Sequence, residues 1–262
     1  MIRVGVLGAL GKMGAEVCRA VIADDECALA AAIDPEASGE TVTDALGATM
    51  PVSTEIDTLS EAEVDVAVDF THPDTVMDNV RWCVRHAVDL VVGTTGLGAA
   101  DLEEIRALID EEGNESNVFV APNFALGAVL MMRFAAAASR YFGHVEIIEL
   151  HHDAKADAPS GTALTTAHWI AVERGEAPAR AVESRESVPG ARGGEFEGVG
   201  IHSVRLPGLV AHQEVILGGP GQTLTIRHDS TDRAGFMPGV LLAVKKIKEH
   251  PGLTVGLEHL LD

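Results

Sequence analysis

The stretch VGVLGALGKMGAEVC, residues 4–18, joins an apolar run to three glycines, Gly8, Gly11 and Gly14, in the spacing G-x-x-G-x-x-G. The apolar run predicts a strand, and the residues from Lys12 to Ala23 predict a helix directly after it. Glycines permit a tight strand-to-helix turn, and the helix N-terminus then presents free N–H groups to a pyrophosphate. The stretch therefore predicts a dinucleotide site at the start of a parallel sheet.

The same alternation of strand-like and helical patterns continues to about residue 123. Strands that alternate with helices of 10–15 residues are typical of a doubly wound parallel sheet. Near-continuous apolar strands also indicate a sheet covered by helices on both faces. The predicted strands are 2–8, 28–34, 64–70, 88–96 and 117–123, and further helices are predicted from about Pro73 and over 99–112.

The pattern changes after Pro122. A long apolar helix over 126–141, a strand over 145–150 and a helix after Gly161 are predicted there. Several strands within 199–228, joined by Gly/Pro-rich turns, look like successive hairpins and predict an antiparallel or mixed sheet. Residues 176–198 are rich in Pro, Gly and charge, and predict a loop excursion; one more amphipathic helix closes the chain.

The predicted fold class is therefore α/β. It combines a Rossmann-like doubly wound parallel sheet with an inserted α+β domain that carries a mixed or antiparallel sheet. The predicted dinucleotide-binding domain comprises 1–123 and 231–262, and the inserted domain comprises 124–230.

Composition excludes several classes of protein. The net charge of −21 argues against general nucleic-acid binding, which needs clustered Lys and Arg. The longest apolar stretch, 124–138, contains Arg133 and is too short to span a membrane. The three cysteines show no metal-ligand spacing, which indicates a reducing cytoplasm and no metal site.

Asp34 lies about 20 residues beyond the glycine turn, at the end of the second predicted strand. A carboxylate there accepts hydrogen bonds from an adenosine ribose and repels a 2′-phosphate, and Pro35 and Glu36 after it supply no arginine. Lys12 attracts the phosphates of either nucleotide. The pattern favours NADH with NADPH also accepted; the alternative for Asp34 is a plain strand-end turn residue.

Two further turns, GTTG at 93–96 and APNF at 121–124, follow the fourth and fifth predicted strands. Open parallel sheets bind ligands at the carboxyl ends of their strands. Together with the glycine turn they predict one crevice, although each alone is also ordinary turn chemistry.

The stretch EIIELHHDAKADAPSGTA, residues 146–163, holds two adjacent histidines and a lysine before a Ser-Gly-Thr run. Metal binding would need ligands such as Glu149 or Asp157 beside histidines that point to opposite faces of a strand. Ser160 lacks the context of a nucleophilic serine, and histidines that merely cap a strand are a further alternative. Acid chemistry on a small dicarboxylate is favoured, because histidine and lysine donate protons and a helix start binds anions.

This stretch resembles the E-I-I-E-L-H-H-x-x-K-x-D-A-P-S-G-T-A motif of the 4-hydroxy-tetrahydrodipicolinate reductase family, also called dihydrodipicolinate reductases, of diaminopimelate–lysine biosynthesis. The resemblance extends over the whole chain: G-x-x-G-x-M-G at 8–14, DFTHPD at 69–74, VVGTTG at 91–96, APNFALG at 121–127, GLVAHQEV at 208–215 and TIRHDSTDR at 225–233.

The resemblance implies a role for each matching residue. His151 is implied as the general acid, and Lys155 as a proton donor that also holds the substrate. The other implied substrate-binding residues are His152, Gly161 and Thr162. The implied cofactor contacts are Gly8, Ala9, Leu10, Gly11, Lys12, Met13, Asp34, Gly93, Thr94, Thr95, Ala121, Pro122, Asn123 and Phe124.

The implied reaction is hydride transfer from NAD(P)H to a cyclic unsaturated dicarboxylate, in a homotetramer whose inserted domain binds substrate and forms the tetramer. The alternatives are a related amino-acid dehydrogenase, or a non-catalytic NAD(H)-sensing protein that would have no use for His151 and Lys155.

Overall fold

The computed structural model describes residues 1–44, 47–113, 115–176 and 185–261. The chain forms two compact units, Met1–Phe124 with Phe236–Asp262, and Ala125–Gly235. Part of the predicted excursion at 176–198, residues 177–184, lies outside the described residues. Within the described residues, no helix has the length and apolar character needed to cross a membrane.

A six-stranded parallel sheet forms the centre of the first unit, which confirms the prediction of a doubly wound sheet. With labels in chain order, its strands are β1 (Ile2–Leu7), β2 (Cys27–Ile33), β5 (Val66–Asp69), β6 (Asp89–Val92), β7 (Val118–Val120) and β13 (Leu253–Val255). Their order across the sheet is β13-β7-β6-β5-β1-β2. Strand β13 was not predicted: only a helix was expected near the end of the chain, and this strand is three residues long.

The helices of this unit are α1 (Lys12–Ala23), α2 (Thr58–Glu61), α3 (Val76–Arg85), α4 (Ala99–Glu111) and α7 (Met237–Lys246). The helical spacing of Val76, Val80 and Val84 places all three in the core beneath the sheet. Two short strands, β3 (Thr41–Thr43) and β4 (Thr49–Pro51), pair as a separate antiparallel ribbon. Residues Ile247–Glu249 and Leu257–Leu260 form 3-10 turns.

The second unit contains a five-stranded mixed sheet, as predicted, in the order β12-β11-β8-β10-β9. The strands are β8 (His144–His151), β9 (Gly194–Phe196), β10 (Val199–Arg205), β11 (Ala211–Gly219) and β12 (Gln222–Ser230). The helices α5 (Leu126–Ser139) and α6 (Gly161–Arg174) pack against each other, and Arg233–Phe236 forms a 3-10 turn.

Two expectations for this unit were wrong. Strands β10 and β11 do not form a hairpin, because β8 lies between them and pairs parallel with β10 and antiparallel with β11. Residues 176–198 are not all loop, because Gly194–Phe196 pairs with β10 as an edge strand. Of the two hairpins expected among β10, β11 and β12, the one between β11 and β12 is present.

Candidate active site

The glycine turn joins β1 to α1. Gly8 has a φ of 80°, and a Cβ there would lie 2.8 Å from the Phe70 backbone oxygen. A Cβ on Gly14 would lie 2.0 Å from the Gly8 oxygen, inside any allowed contact. Both glycines are therefore required by close backbone approach. The N–H groups of residues 8–11 have acceptors within the turn, and the first N–H groups of α1, which begins at Lys12, lack intrahelical acceptors.

Asp34 lies at the carboxyl end of β2 and is buried. One carboxylate oxygen accepts a hydrogen bond from Leu10 N at 3.0 Å, and the other accepts one from Glu36 N at 3.1 Å. The carboxylate thus joins the glycine turn to the end of β2. Asp34 is thus a strand-end turn residue, and its contact with a ribose stays a prediction.

A cavity of about 450 Å³ opens beside this turn. It is lined by Gly8 and Gly11 on one side and by the carboxylates Asp34, Glu36 and Asp78. None of the described residues that line the cavity is a lysine or an arginine. Its three carboxylates make the charged side chains of this lining acidic.

The segment DFTHPD contributes a buried carboxylate to the same edge of the sheet. Asp69 accepts hydrogen bonds from Thr71 N at 2.9 Å, and from Thr71 Oγ1, Asn79 Nδ2 and Thr94 Oγ1, each at 2.7 Å. The Thr94 hydroxyl, an expected cofactor contact, is thus engaged with Asp69. Thr95 beside it is exposed.

Gly93 lies against an aromatic ring, since a Cβ there would come 2.2 Å from the Phe70 ring. That ring stands 5.9 Å from the ring of Phe124, which is itself buried with Ala121. In the 121–124 turn, the side chains of Ala121 and Phe124 therefore belong to the core. Pro122 and Asn123 are the more accessible of the four.

The second unit holds the histidine stretch at the end of its central strand. Alternate residues of β8, Val145, Ile147 and Glu149, are buried, so a carboxylate occupies the third position of an apolar row. Glu149 Oε2 lies 2.5 Å from His151 Nδ1. Arg205, at the end of β10, donates to both Glu149 oxygens at 2.9 and 2.8 Å. A fully buried carboxylate is thus paired with a guanidinium and with an imidazole.

Lys155 and His152 lie in the loop that follows β8. Lys155 Nζ donates to Asp157 Oδ1 at 2.7 Å, and its side chain is 23% exposed. His152 is exposed and lies just beyond β8, which ends at His151. The expectation that both histidines lie on one strand, with their rings on opposite faces, was therefore wrong. The two histidines differ because only His151 is part of the paired strand.

The Ser-Gly-Thr run begins α6, as predicted. Ser160 is the N-cap, and its Oγ accepts a hydrogen bond from Ala163 N at 3.2 Å. A Cβ on Gly161 would meet no atom within 4 Å, so packing of the described chain does not require a glycine there. This helix start has open space for an anion beside its first N–H groups.

The ionisation states follow from these contacts. Burial raises the pKa of the Glu149 carboxyl, but hydrogen bonds from Arg205, Ser203 and His151 outweigh it and hold that pKa below its ordinary value. Burial lowers the pKa of the His151 imidazole, which the Glu149 carboxylate opposes and the charges of Lys155 and Arg205 reinforce. At neutral pH Glu149 is ionised.

Glu149 and Arg205 were not predicted as a pair. The alternation of 145, 147 and 149 marks Glu149 as a buried charge, which requires a partner. The partner could not be found from sequence, because Arg205 is 56 residues away and reaches His151 only through the parallel pairing of β8 with β10.

The described residues contain neither a cluster of metal-ligating side chains nor a disulfide. No group of three or more His, Cys, Asp or Glu side chains there could hold a metal ion. Cys18, Cys27 and Cys83 are buried and unpaired, and burial raises the pKa of Cys27 to about 11.

Comparison with known proteins covers both units. Family models described as the N-terminus and the C-terminus of dihydrodipicolinate reductase match residues 2–124 and 127–261. The 4-hydroxy-tetrahydrodipicolinate reductase of Syntrophomonas wolfei is 52% identical over 263 residues, covering 99% of this chain and 98% of the relative. The reductase of Nocardia farcinica is also 52% identical, covering 100% and 99%.

Solved structures agree. A dipicolinate-bound dihydrodipicolinate reductase from Paenisporosarcina sp. TG-14 is 40% identical, with a TM-score of 0.87 and complete coverage of both chains. An amine dehydrogenase from Mycobacterium smegmatis, 15% identical with a TM-score of 0.66, covers 97% of this chain and 94% of its own and shares the fold alone.

Proposed function

The chain belongs to the dihydrodipicolinate reductase family, and on this premise we propose how its own residues carry out the family reaction. The activity is that of a 4-hydroxy-tetrahydrodipicolinate reductase, an NAD(P)H-dependent oxidoreductase. It reduces a cyclic unsaturated dicarboxylate to tetrahydrodipicolinate, in diaminopimelate and lysine biosynthesis.

We propose that His151 is the general acid. The supporting observation is the bond from His151 Nδ1 to the buried Glu149 carboxylate, which leaves Nε2 to face a reactant. When bound, the reduced nicotinamide supplies a hydride, and the protonated imidazole donates the proton that completes the reduction at the substrate. A well-placed general acid contributes about 10²–10⁴-fold to such a rate.

We propose that the two substrate carboxylates are held by Lys155, His152, Gly161 and Thr162. Lys155 supplies a cation within four residues of His151, and its present partner, Asp157, is 59% exposed and can be exchanged for a substrate carboxylate. The start of α6 supplies N–H groups, and the open space at Gly161 leaves room for the second carboxylate. Lys155 is also proposed as a proton donor.

NADH is proposed as the preferred cofactor, with NADPH also accepted. The residues that would hold it are the glycine turn from Gly8 to Met13 and the carboxylate of Asp34, with Gly93–Thr95 and Ala121–Phe124 at the neighbouring strand ends. The lining by Asp34, Glu36 and Asp78 supports discrimination against a 2′-phosphate. Lys12 is exposed at the start of α1, where it attracts the phosphates common to both cofactors.

The roles of the two units are also proposals. The unit Met1–Phe124 with Phe236–Asp262 is assigned to dinucleotide binding, and Ala125–Gly235 to substrate binding and assembly. A homotetramer is proposed on the family resemblance, supported by a nine-residue edge strand, β12, that exposes Leu224. A cytoplasmic location is proposed, consistent with three unpaired buried thiols.

The test is an assay that follows NADH absorbance with freshly prepared substrate. If the enzyme turns over the cyclic unsaturated dicarboxylate and does not turn over amino acids, it is the proposed reductase and not an amino-acid dehydrogenase. Binding of NADH without turnover would instead indicate a sensor. Parallel measurements with NADPH give the ratio of kcat/KM values, and a ratio in favour of NADPH would contradict the proposed cofactor preference.

A further inference from the structure

Glu149 makes more contacts than strand packing requires. Its side chain has no exposed surface. Its two carboxylate oxygens accept hydrogen bonds from His151 Nδ1, from both terminal nitrogens of Arg205 and, at 3.3 Å, from the backbone N of Ser160. Ser160 is the N-cap of α6. One buried carboxylate therefore connects the proposed proton donor to the helix start proposed to bind substrate.

Arg205 connects the same carboxylate to the loop between them. Its guanidinium donates to the backbone oxygen of Lys155 at 3.3 Å and to that of Asp157 at 2.5 Å. The residue that carries the proposed substrate cation is thus held through its main chain, which leaves its side chain free to change partners. A planar guanidinium with five N–H groups suits several acceptors at fixed angles.

We propose that Glu149 and Arg205 are positioning residues of this reductase: Glu149 orients His151 and favours its protonated form, and Arg205 holds Glu149 and the 155–157 backbone in place. This inference rests on the proposed role of His151 as general acid. Neither residue is assigned contact with the substrate.

The need for a charged carboxylate follows from the surroundings of the imidazole. His151 is half-buried, and the cations Lys155 and Arg205 lie nearby, so burial and charge both disfavour imidazolium. Among the described groups that act on His151, Glu149 alone favours imidazolium, and it also fixes the Nδ1–H tautomer through its hydrogen bond. A neutral amide at 149 would keep the shape and lose the charge.

Substitutions of Glu149 and of Arg205 should therefore have different effects on catalysis. Loss of the Glu149 charge lowers the pKa of His151 and so alters the proton-transfer step and its pH dependence. Replacement of the Arg205 fork preserves a cation but releases the two backbone oxygens, so the loop and its lysine lose their fixed position. The second change should affect substrate binding more than proton transfer.

The chain contains a matched control. His202 and Glu146 form a second histidine–carboxylate pair between β10 and β8, with Nε2 and Oε2 2.9 Å apart. Glu146 lies on the opposite face of β8 from Glu149, and its side chain is 41% exposed. Glu146→Gln therefore repeats the chemical change on the same strand, outside the site.

The experiment measures kcat and KM against pH for wild type, Glu149→Gln, Glu146→Gln and Arg205→Lys. The alkaline limb of each profile is the fall of activity as pH rises. In Glu149→Gln this limb should move to lower pH by about one unit, so that activity on it is about tenfold lower than in the wild type. Glu146→Gln should retain the wild-type limb. Arg205→Lys should raise KM at least about tenfold with a smaller change of the limb.

Folding of each variant is checked by circular dichroism. If Glu149→Gln unfolds, the double variant Glu149→Gln/Arg205→Gln, which replaces the ion pair by two amides, is measured in its place. An unmoved limb in a folded variant would overturn the positioning role, as would loss of folding in both variants, which assigns the pair to stability. His151→Gln in the same series separates the two proposals. If that variant keeps full turnover, the proposed function of His151 fails; if it is inactive while the Glu149 variants are normal, only the positioning role fails.

Discussion

Gly161→Ala separates the space needed by a ligand from the space needed by the fold. A Cβ at residue 161 meets no atom within 4 Å, and the position is the first residue of α6. An alanine there should be tolerated or favourable, since replacing glycine by alanine in a helix gains at most about 1 kcal/mol. In the proposed complex, however, the methyl group would lie where a substrate carboxylate approaches the helix N-terminus.

The expected loss of binding can be estimated from one hydrogen bond to a charged group, which is worth about 1.5–3 kcal/mol. Losing it weakens binding by about 10- to 100-fold, because each 1.4 kcal/mol is a factor of ten. The assay is calorimetric titration with dipicolinate, together with KM for the substrate and a thermal melt. NADH affinity serves as an internal control, because its proposed contacts lie in the other unit.

Two outcomes would refute this reasoning. Wild-type affinity for dipicolinate in Gly161→Ala would mean that no ligand uses the open space. A melting temperature several degrees below wild type would mean that the fold requires the glycine after all. Retained stability with weakened dicarboxylate binding is the expected combination.

Further changes test the other parts of the site. Gly14→Ala places a Cβ 2.0 Å from the Gly8 oxygen, so we expect lost stability of about 1–3 kcal/mol in a chemical denaturation curve and weaker NADH binding in a fluorescence titration. Glu36→Arg exchanges a carboxylate lining the cavity for a cation, and should raise the NADPH-to-NADH ratio of kcat/KM at least about tenfold. His151→Gln should lower kcat by about 10²–10⁴-fold with a small effect on KM, and Lys155→Ala should lower kcat and raise KM; near wild-type kinetics in both would contradict their assignment.

The parallel sheet was predictable because its strands are continuous apolar runs separated by helices of regular length. Helix α1 begins and ends at the predicted residues, Lys12 and Ala23, since glycines mark its start. Strand β13 was not predictable, because three residues are too few for a periodic pattern and β13 exists only by pairing with β7. Strand β9 likewise depends on its pairing with β10.

The candidate site divides in the same way. The histidine stretch and the glycine turn are each contiguous in sequence, so each could be recognised as a candidate site from its own residues, and the roles of those residues stay predictions. The partners of Glu149 are set by sheet order instead. A hairpin of β10 with β11, as predicted, would have kept Arg205 away from β8; the insertion of β8 between them brings it beside His151.

The central place of β8 also determines how the site moves. This strand is hydrogen-bonded along both edges, to β11 from His144 to His151 and to β10 from Glu146 to His151. To free its end, the chain must break two ladders at once, which costs more than breaking the hydrogen bonds of a loop. The proposed proton donor is therefore fixed by both neighbouring strands. The proposed substrate lysine is fixed only through its main chain, by Arg205, so its side chain can exchange Asp157 for substrate while the imidazole keeps its position.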